Sequence, residues 1–470
     1  MTGQQKPSSY RDLFVGLDAK VPLLDGTLHT YINLDNAAST PALKAVQKSV
    51  DDFLVYYSSV HRGTGFKSQL STHAYEKARE ITLRFVGADT GGYTCIFGKN
   101  TTEAVNKLAR RFPFTPERNV VITSGMEHHS NDLPWRAVTH TVHVRLTPDG
   151  SLDEADFDNQ LELYKNQVAL VTISGASNVT GFINPVHRLA EKTHATGAQI
   201  CVDCAQLAPH RKVEMGSLDD PAHLDYITLS AHKLYAPFGT GALIGRRDTF
   251  EQGEPDMRGG GTVEIVTLED VVWSGPPERE EAGSPNTIGA IALATALCQL
   301  EAIGMEQVAS HEAVLTAYAL EKLAQIPGLQ IFGDRRIEHA GDRLGVIPMG
   351  LEAVPHFLAA AVLGYEFGIG VRSGCFCAHP YILHLLGLTR AEASQVRATM
   401  LSGDRRSMPG LIRASFGLYN TCQEIDALVD ALDHIQKGDY RGSYMQEKSS
   451  GEYKPQGWQP QFGNFFKIKQ

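Results

Sequence analysis

The stretch LDYITLSAHKLYAPFGTG, residues 224–241, joins an apolar, β-branched run to a lysine and a glycine-rich turn. Similar short apolar runs alternate with helical patterns between about residues 93 and 250, which is typical of βαβ units and a parallel sheet. The sequence therefore predicts an α/β fold with ligand sites at the carboxyl ends of the strands. The other predicted strands are YTCIFG (93–98), NVVITSG (119–125), QVALVTISGASN (167–178), QICVDCAQ (199–206) and GTGALIGRR (239–247), and the clearest helices are TEAVNKLARRF (102–112) and PVHRLAEKTHATG (185–197).

The length of the chain and a change of pattern near residue 290 predict more than one domain. A chain of 470 residues exceeds what one hydrophobic core usually supports. Beyond the change, IGAIALATALCQLEAIG and HEAVLTAYALEKLAQIPG are helical patterns followed by short strand-like runs. The predicted organisation is an N-terminal segment (1–30) that packs with the small domain, a large domain with a mainly parallel sheet (31–304), a smaller C-terminal α/β domain (305–437) and an extension packed on the protein's own surface (438–470).

Charge and cysteine usage limit the partners and the compartment. The formal charge of −10 argues against nucleic acid or an anionic membrane as the main partner. No apolar run resembles a signal peptide or approaches the roughly 18 residues of a membrane span. Seven cysteines, odd in number and mostly scattered, do not resemble a disulfide framework. We therefore expect a reducing, cytoplasmic location.

Lys233 and Asp203 indicate an aldehyde cofactor. A lysine becomes a Schiff-base nucleophile when its amine is partly desolvated or lies near another cation. Asp203 lies near the end of a buried strand, where an unpaired carboxylate would cost roughly several kcal/mol. Pyridoxal 5′-phosphate requires both groups, a lysine to hold its aldehyde and a carboxylate to keep its ring nitrogen protonated. The protonated ring serves as an electron sink for chemistry at an amino acid's α-carbon.

The segment NTTEA, residues 100–104, is a candidate phosphate cradle. Asn100 fits a helix cap, with Glu103 three residues later as in a capping box. The amides behind Thr101 and Thr102 would then point at an anion, which the helix dipole favours. Alone the motif is weak, because most such sequences only begin helices.

Taken together, the motifs of this chain resemble those of the class V, fold type I pyridoxal-phosphate enzymes of the cysteine desulfurase and selenocysteine lyase group. A single matching segment would be ambiguous, but ten segments that occur in the same order as in the family are specific. They imply the type I fold of pyridoxal-phosphate-dependent transferases. The matching segments are INLDNAAST (32–40), SSVHRG (58–63), NTTEAVN (100–106), EHHSNDLPW (127–135), SNVTGFINPV (177–186), VDCAQLAPH (202–210), SAHKLYAPFGTGAL (230–243), EEAGSPNTIGA (280–290), VRSGCFCAHP (371–380) and IRASFGLYNTCQEID (412–426).

The resemblance implies a role for each matched position around the cofactor. Lys233 would form the covalent link to the aldehyde, Asp203 would pair with the ring nitrogen, and His128 would stack on the ring. Ser284 stands where the family usually has a threonine that reaches the phosphate of the neighbouring subunit, which implies a homodimer with composite sites. The positions that would contact the phenolic oxygen are Asn178 and Gln206, and those that would hold the phosphate are Thr101, Thr102, Ser230 and His232.

The resemblance also implies a substrate site. Arg413 would bind the substrate carboxylate as a bidentate pair, and Arg372 would line the same pocket. Asn36 and His61 would complete the substrate site. The segment HRGTGFKS (61–68) has Gly65 where the family often has a second histidine, which puts substrate preference and proton handling at this border of the pocket in question.

The loop GIGVRSGCFCAHPY, residues 368–381, contains the candidate nucleophile. In desulfurases a loop cysteine attacks the sulfur of the cysteine–cofactor adduct and leaves alanine and an enzyme persulfide, and Cys377 matches that position. Arg372 and His379 would favour its thiolate. Cys375 replaces a histidine that many members carry, and the G-C-F-C run is similar to the desulfurase-like domain of molybdenum-cofactor sulfurases. Cys375 would resolve a persulfide on Cys377, share its sulfur, or have no role in the chemistry.

Other cysteines and histidines predict no metal site. Cys201 and Cys204 have redox-motif spacing but lie along a predicted strand around Asp203, so we interpret them as packing residues. His128 and His129 are adjacent, but no further Cys or His cluster beside them would complete a zinc site.

The resemblance therefore implies a cysteine desulfurase that binds L-cysteine, releases L-alanine and passes sulfur from Cys377 to an acceptor, with a protein as one candidate acceptor. Two alternatives stay open. The first is a pyridoxal-phosphate-dependent cysteine or cystine C–S lyase, or a selenocysteine lyase. The second, of another class, is an inactive homologue that acts as a binding subunit of a sulfur-transfer complex.

Overall fold

A seven-stranded sheet lies at the centre of the computed structural model, which describes residues 10–61 and 63–468. The strands are β1 (Lys20–Pro22), β2 (Leu28–Thr30), β3 (Ile32–Asn33), β4 (Tyr93–Gly98), β5 (Val120–Ser124), β6 (His140–Val144), β7 (Val168–Ser174), β8 (Gln199–Asp203), β9 (Tyr226–Ser230), β10 (Gly241–Arg246), β11 (Val263–Val266), β12 (Val271–Trp273), β13 (Leu329–Ile331), β14 (Val346–Leu351), β15 (Ile369–Gly370), β16 (Arg372–Gly374), β17 (Leu411–Ser415), β18 (Tyr444–Gln446) and β19 (Tyr453–Pro455). The helices are α1 (Lys44–Leu54), α2 (Phe66–Phe85), α3 (Thr101–Arg111), α4 (Leu133–Val138), α5 (Glu154–Leu163), α6 (Val186–His194), α7 (Arg247–Glu251), α8 (Thr287–Ile303), α9 (Met305–Leu323), α10 (His356–Phe367), α11 (His379–Leu385), α12 (Arg390–Leu401) and α13 (Cys422–Gln436).

The central sheet is mainly parallel, as the sequence predicts. Its order is β4-β10-β9-β8-β7-β5-β6, and the strands from β9 to β6 pair in parallel. The exception is β10, which is antiparallel to both of its neighbours, β9 and β4. The connection between Ser230 and Gly241 is too short for a crossover, which needs a dozen or more residues, so the chain returns antiparallel.

Helices cover both faces of the sheet, and its strands are therefore buried on both sides. Within β5, Val120 and Ile122 pack into the core that contains α8, whereas Val121 packs into the core on the other face with α3. The predicted helices after residue 287 are confirmed as α8 and α9. None of the described helices is by itself long and apolar enough to cross a membrane; α8 and α9 meet that condition only as a pair bent by 78°.

A smaller antiparallel sheet, β13-β14-β17-β16, has its own hydrophobic core with α9, α10 and α13. The N-terminal part of the chain contributes to this core, since β3 pairs in parallel with β15 and Leu34 is fully buried there. Within the predicted N-terminal segment, the N–H of Leu24 donates to the carbonyl of Tyr365 on α10. Residues 1–9 of that segment lie outside the described residues, and the domain limits at 30, 304 and 437 stay predictions.

The C-terminal extension lies along α10 as far as Trp458. The hydroxyl of Tyr444 donates to Glu366 (2.8 Å), and Trp458 packs edge-on against Tyr365. These contacts place this part of the extension on the surface of the small domain. Beyond it, Phe462 and Phe466 are exposed.

Candidate active site

A cavity of about 490 Å³ opens at the carboxyl ends of β7, β8 and β9. The start of α3, the loop after β16 and one side chain of β17 complete its wall. The cavity therefore brings together motifs that are far apart in the sequence. The predicted site residues that line it are Thr101, Thr102, His128, Asn178, Asp203, Gln206, Ser230, His232, Lys233, Arg372, Cys377 and Arg413.

Lys233 and Asp203 both line the cavity but form no ion pair with each other. Within residues 10–61 and 63–468, the Lys233 amine has no hydrogen-bond partner. Burial lowers the pKa of Lys233 to about 8, although the Asp203 carboxylate opposes this shift. Burial raises the pKa of Asp203, which accepts one hydrogen bond, from the N–H of Ala205 (2.9 Å). The Lys233 amine is thus unpaired, and the Asp203 carboxylate accepts only one hydrogen bond among the described residues.

The N-terminus of α3 lies at the wall of the cavity, where the sequence predicts the phosphate site. Asn100 caps the helix by accepting a hydrogen bond from the N–H of Glu103 (3.1 Å). The Glu103 carboxylate accepts from the N–H of Lys99 rather than from that of Asn100, so the predicted capping box is only half formed. The hydroxyl of Ser230 accepts from the N–H of Thr101 (2.9 Å) and donates to its hydroxyl (3.0 Å). The end of β9 is thereby fixed to the first turn of α3.

Gly241 is required for this close approach. A Cβ built at Gly241 would lie 2.5 Å from Cα of Asn100 and 2.5 Å from the carbonyl oxygen of Leu229. Both contacts are with backbone, which has no room to move. The second glycine of the GTG turn therefore allows the helix cap and the strand ends to meet.

Two histidines of the cavity are held neutral. Burial and the nearby Lys233 lower the pKa of His128 to about 3 and that of His232 to about 4. Nδ1 of His128 accepts a hydrogen bond from the N–H of Ser130 (3.1 Å), so the proton of the neutral ring is on Nε2. The hydroxyls of Ser130 and Thr102 are 2.7 Å apart at the N-terminus of α3. A neutral, apolar-faced imidazole suits the predicted stacking role.

Asn178 and Gln206 fasten other segments to the cavity wall. Nε2 of Gln206 donates to the carbonyl of Ala37 (2.7 Å), and Nδ2 of Asn178 donates to the carbonyl of Phe376 (2.8 Å). Each amide nitrogen has a second hydrogen for a ligand. Their contact with a phenolic oxygen stays a prediction.

Arg413 is buried and only partly satisfied. Its Nη2 donates to Asp35 Oδ1 (2.8 Å) and its Nη1 to the carbonyl of Asn178 (2.9 Å). The guanidinium carbon lies 4.9 Å from the centre of the Phe376 ring. Its Nε is buried without a partner among the described residues. Asp35 also pairs with Nε of Arg372 (3.2 Å), so one carboxylate links both arginines.

The two loop cysteines differ in environment. Cys377 is exposed at the cavity, whereas Cys375 is buried, and its thiol donates to the carbonyl of Pro409 (3.1 Å). Burial raises the pKa of Cys375 to about 12. Phe376 and Cys377 have φ angles of 51° and 55°, in the left-handed region that non-glycine residues rarely adopt. The carbonyl of Phe376 accepts from Nδ2 of Asn178, and the carbonyl of Cys377 accepts from the N–H of His129 (2.8 Å), so both carbonyls of this strained turn are held.

Sequence reasoning missed two acidic residues that organise the site. Asp35 lies inside the matched segment INLDNAAST, and its partner Arg413 lies in another matched segment. Glu127 directly precedes His128 and is buried beneath the cavity. Its carboxylate accepts from the hydroxyls of Ser124 and Ser174 (both 2.6 Å), and burial raises its pKa to about 7. The sequence signal for Asp35 and Glu127 is that each is an acidic residue inside one of the ten matched segments.

Three predicted positions do not line the cavity. Ser284 is exposed to solvent. Asn36 is buried and committed to the chain itself, since its Nδ2 donates to the carbonyl of Ser415 (2.9 Å) and its Oδ1 accepts from the hydroxyl of Tyr419 (2.7 Å). His61 is half-buried and has a φ of 63°. The roles of Asn36 and His61 at the substrate stay predictions.

Residues 32–428 match the family described as Aminotransferase class-V. The chain is 34% identical over 412 residues to a cysteine desulfurase of Haloferax volcanii, a match that covers 86% of this chain and 88% of that one. It also superimposes on the cysteine desulfurase CsdA of Escherichia coli with a TM-score of 0.75 and 29% identity, over 93% of this chain and 99% of that one. For a cysteine desulfurase of Thermococcus onnurineus the TM-score is 0.76 at 29% identity, over 93% and 100% of the two chains. The type I fold predicted from the motifs is confirmed.

Proposed function

The chain belongs to the class-V aminotransferase family and to its cysteine desulfurase group, and from this premise we propose that it converts L-cysteine to L-alanine and transfers the sulfur to Cys377. One observation carries the proposal: an exposed thiol, Cys377, lies in the wall of the same cavity as Lys233 and Arg413. An enzyme that only eliminated sulfide would need no thiol at this position.

The cavity fits pyridoxal 5′-phosphate. Lys233 and Asp203 are a buried amine and a carboxylate that leave each other unpaired, and the first helical residues of α3, Thr101 and Thr102, line the same cavity and suit a phosphate. Lys233 would hold the aldehyde and Asp203 the ring nitrogen, with His128 against the ring. When bound, the cofactor supplies an electron sink for the α-carbon of the amino acid.

The side chains around this group bind the substrate and move its protons. Arg413, with an unpaired buried Nε, would bind the carboxylate of L-cysteine. Lys233 would take a proton from the α-carbon and return it, because a pKa of about 8 lets the amine act as both base and acid near neutral pH. Burial away from bulk water, helped by the nearby positive charge of Arg413, lowers the pKa of the Lys233 amine.

The sulfur step belongs to Cys377. Its thiolate would attack the sulfur of L-cysteine, so that an S–S bond forms and the Cβ–S bond breaks. The electron pair of the broken bond takes up a proton to give the methyl group of L-alanine. The sum is one thiol plus L-cysteine giving one persulfide plus L-alanine. Since Cys377 is exposed, its persulfide would pass sulfur outward to an acceptor protein, and a reducing compartment such as the cytoplasm suits this thiol chemistry.

We also infer a homodimer. Ser284, proposed to reach the phosphate of a second subunit, is exposed, and its neighbour Gly283 donates to the carbonyl of Gly260 (2.8 Å). Gly260 lies just before the hairpin β11–β12, whose tip residue Leu268 is fully exposed. An exposed apolar hairpin beside Ser284 supports an interface at this position.

Product analysis tests the desulfurase proposal. The cofactor-loaded protein is incubated with L-cysteine, the amino-acid product is identified, and the peptide containing Cys377 is analysed by mass spectrometry. We expect L-alanine and a persulfide on Cys377, and we expect Cys377→Ser to abolish both. Cys375→Ser is the matched control and should retain alanine formation, because Cys375 is buried away from the cavity. Pyruvate and ammonia as products, or alanine at the unaltered rate in Cys377→Ser, would contradict the proposal.

A further inference from the structure

The two arginines of the cavity are cross-strand neighbours with the same charge. Arg372 is the first residue of β16, and Arg413 lies directly opposite it on the antiparallel strand β17. Side chains directly opposite each other in such a pair lie on the same face, and like charges in these positions repel each other. Both arginines line the cavity. The pair therefore requires a negative charge close by.

Asp35 supplies this negative charge to both arginines. Its Oδ1 accepts from Nη2 of Arg413 (2.8 Å), and its Oδ2 lies 3.2 Å from Nε of Arg372. In the described part of the chain, no other carboxylate pairs with either guanidinium. Burial lowers the pKa of the Lys233 amine, and the Asp35 carboxylate is among the charges that oppose this shift. The charge of Asp35 therefore acts inside the cavity, although Asp35 itself is not one of the lining residues.

The remaining donors and the remaining charge both suit one ligand carboxylate. A guanidinium has five N–H donors. Asp35 and the carbonyl of Asn178 each take one donor of Arg413, and its buried Nε has no partner among the residues that the structure describes. Enough donors are left for a bidentate pair with a carboxylate. Two guanidinium groups and Asp35 together carry one positive charge, which a single carboxylate neutralises.

A ligand with a second negative charge would exceed this balance. The other charged side chains in the cavity wall, Lys233 and Asp203, are assigned to the cofactor in the proposed function. An anionic side chain would therefore be placed near Asp35 without a cation of its own, and water screens charges only weakly in a partly buried site. The thiol of L-cysteine avoids this repulsion, because with an ordinary pKa of about 8.5 it is mostly uncharged near neutral pH.

We propose that Asp35 makes the site selective for amino acids with one carboxylate and an uncharged side chain, such as L-cysteine, over those with an acidic side chain, such as L-aspartate or L-cysteine sulfinate. This inference rests on the proposed binding of the substrate carboxylate by Arg413. Asp35 is a positioning residue, because it acts on the substrate through the two arginines. If Asp35 only oriented the arginines, its loss would weaken the binding of all carboxylates alike. Charge balance instead changes the preference between them.

Calorimetric titration of propionate and of succinate into the cofactor-loaded protein, at constant ionic strength, separates the two roles. Succinate is propionate with a second carboxylate, and neither has an amine that would react with the cofactor's aldehyde. We expect the unaltered protein to bind propionate at least as tightly as succinate. Asp35→Asn should shift the ratio of the two dissociation constants toward succinate by about 10-fold or more, because it removes a unit charge near the ligand. Asp35→Glu keeps the charge and should retain the original preference.

Asp404→Asn is the matched control. Asp404 pairs with the exposed Arg406 (2.6 Å) outside the cavity, and its side chain is 23% exposed, against 21% for Asp35. A ratio that Asp35→Asn leaves unchanged, or that Asp404→Asn shifts equally, would overturn the proposal.

Two results on the unaltered protein, which do not depend on the folding of a variant, would also overturn the proposal. One is tighter binding of succinate than of propionate. The other is no binding of propionate, which would remove the carboxylate site at Arg413 and this inference with it. None of these titrations involves turnover, so a failure of the desulfurase proposal would appear separately, in the product analysis with L-cysteine.

Discussion

Arg413 is held by contacts that only a planar guanidinium makes together: Asp35, the carbonyl of Asn178 and the face of Phe376. A lysine at this position would keep the positive charge but lose the planar set of N–H donors of the guanidinium. A charge-assisted hydrogen bond is worth about 1.5–3 kcal/mol, so Arg413→Lys should lower kcat/KM for L-cysteine by about 10- to 150-fold. We expect most of the loss in KM, which steady-state kinetics would measure.

Arg372→Lys is the matched comparison for this prediction. Arg372 is exposed, and its guanidinium pairs with Asp35 at the rim of the cavity (3.2 Å). Exposed ion pairs contribute about 0–1 kcal/mol, so this substitution should change kcat/KM by less than about fivefold. Equal effects of the two substitutions would assign carboxylate binding to both arginines rather than to Arg413.

Glu127 makes stability depend on pH. Burial raises its pKa in the folded protein from the ordinary 4.5 to about 7, so between these values the folded state binds the proton more tightly than the unfolded state. The free energy of unfolding therefore falls as pH rises through this window, by up to about 3 kcal/mol from this group. Glu127→Gln should lack this component. Urea unfolding at pH 5, 6, 7 and 8 measures it, and curves that run parallel for the two proteins would refute the assignment.

At the residue scale, site side chains that directly follow the ends of strands are predictable from the sequence. Side chains that act through a partner far away along the chain are not. Lys233 and Asp203 were found because parallel strands end at one edge of the sheet. Asp35 was not found, because its partner Arg413 is 378 positions away along the chain and the two meet only in the folded structure. The strained backbone at Phe376 and Cys377 has no signal either, since both residues ordinarily avoid positive φ.

At the scale of elements, two helices begin with the same capping box but differ in what they bury. Thr421 caps α13, whose side chains enter the core of the small domain, whereas Thr389 caps α12, which buries no residue. Thr421→Ala should lower the free energy of unfolding by about 1 kcal/mol. Thr389→Ala should leave global unfolding unchanged, because an exposed helix frays locally. Denaturant unfolding measures the first effect and hydrogen exchange of α12 the second. Equal losses of global stability would contradict this distinction.

The elements themselves were predictable where one segment carries the whole pattern. The parallel strands appear as continuous apolar runs because both faces are covered, and α3 and α6 follow from helical periodicity. Two features depend on pairing between segments and were not predicted. One is the antiparallel direction of β10, and the other is the parallel pair of β3 with β15, whose strands have only two residues each.

At the scale of the whole molecule, the cavity depends on both sheets. The central sheet supplies Lys233 and Asp203, whereas the small sheet supplies Arg413 and the loop that holds Cys377. Relative movement of the two sheets would therefore separate the cofactor residues from the substrate residues. The hydrogen bonds of Asn178 with the carbonyl of Phe376 and with the guanidinium of Arg413 connect the two parts and hold them at a fixed distance.

The proposed homodimer adds a further level, because Ser284 contributes nothing to the cavity of its own chain. Leu268 at the tip of β11–β12 is fully exposed, and Ile265 and Val266 on the same hairpin are also exposed. Leu268→Glu should place a charge in the interface and shift the protein toward monomer, which analytical ultracentrifugation measures. The monomer should also lose cofactor more readily if Ser284 of a second subunit holds the phosphate. Phe466→Glu is the matched control, since Phe466 is likewise exposed but lies in the C-terminal extension. A protein that is monomeric at all concentrations while retaining its cofactor would show that each chain forms a complete site alone.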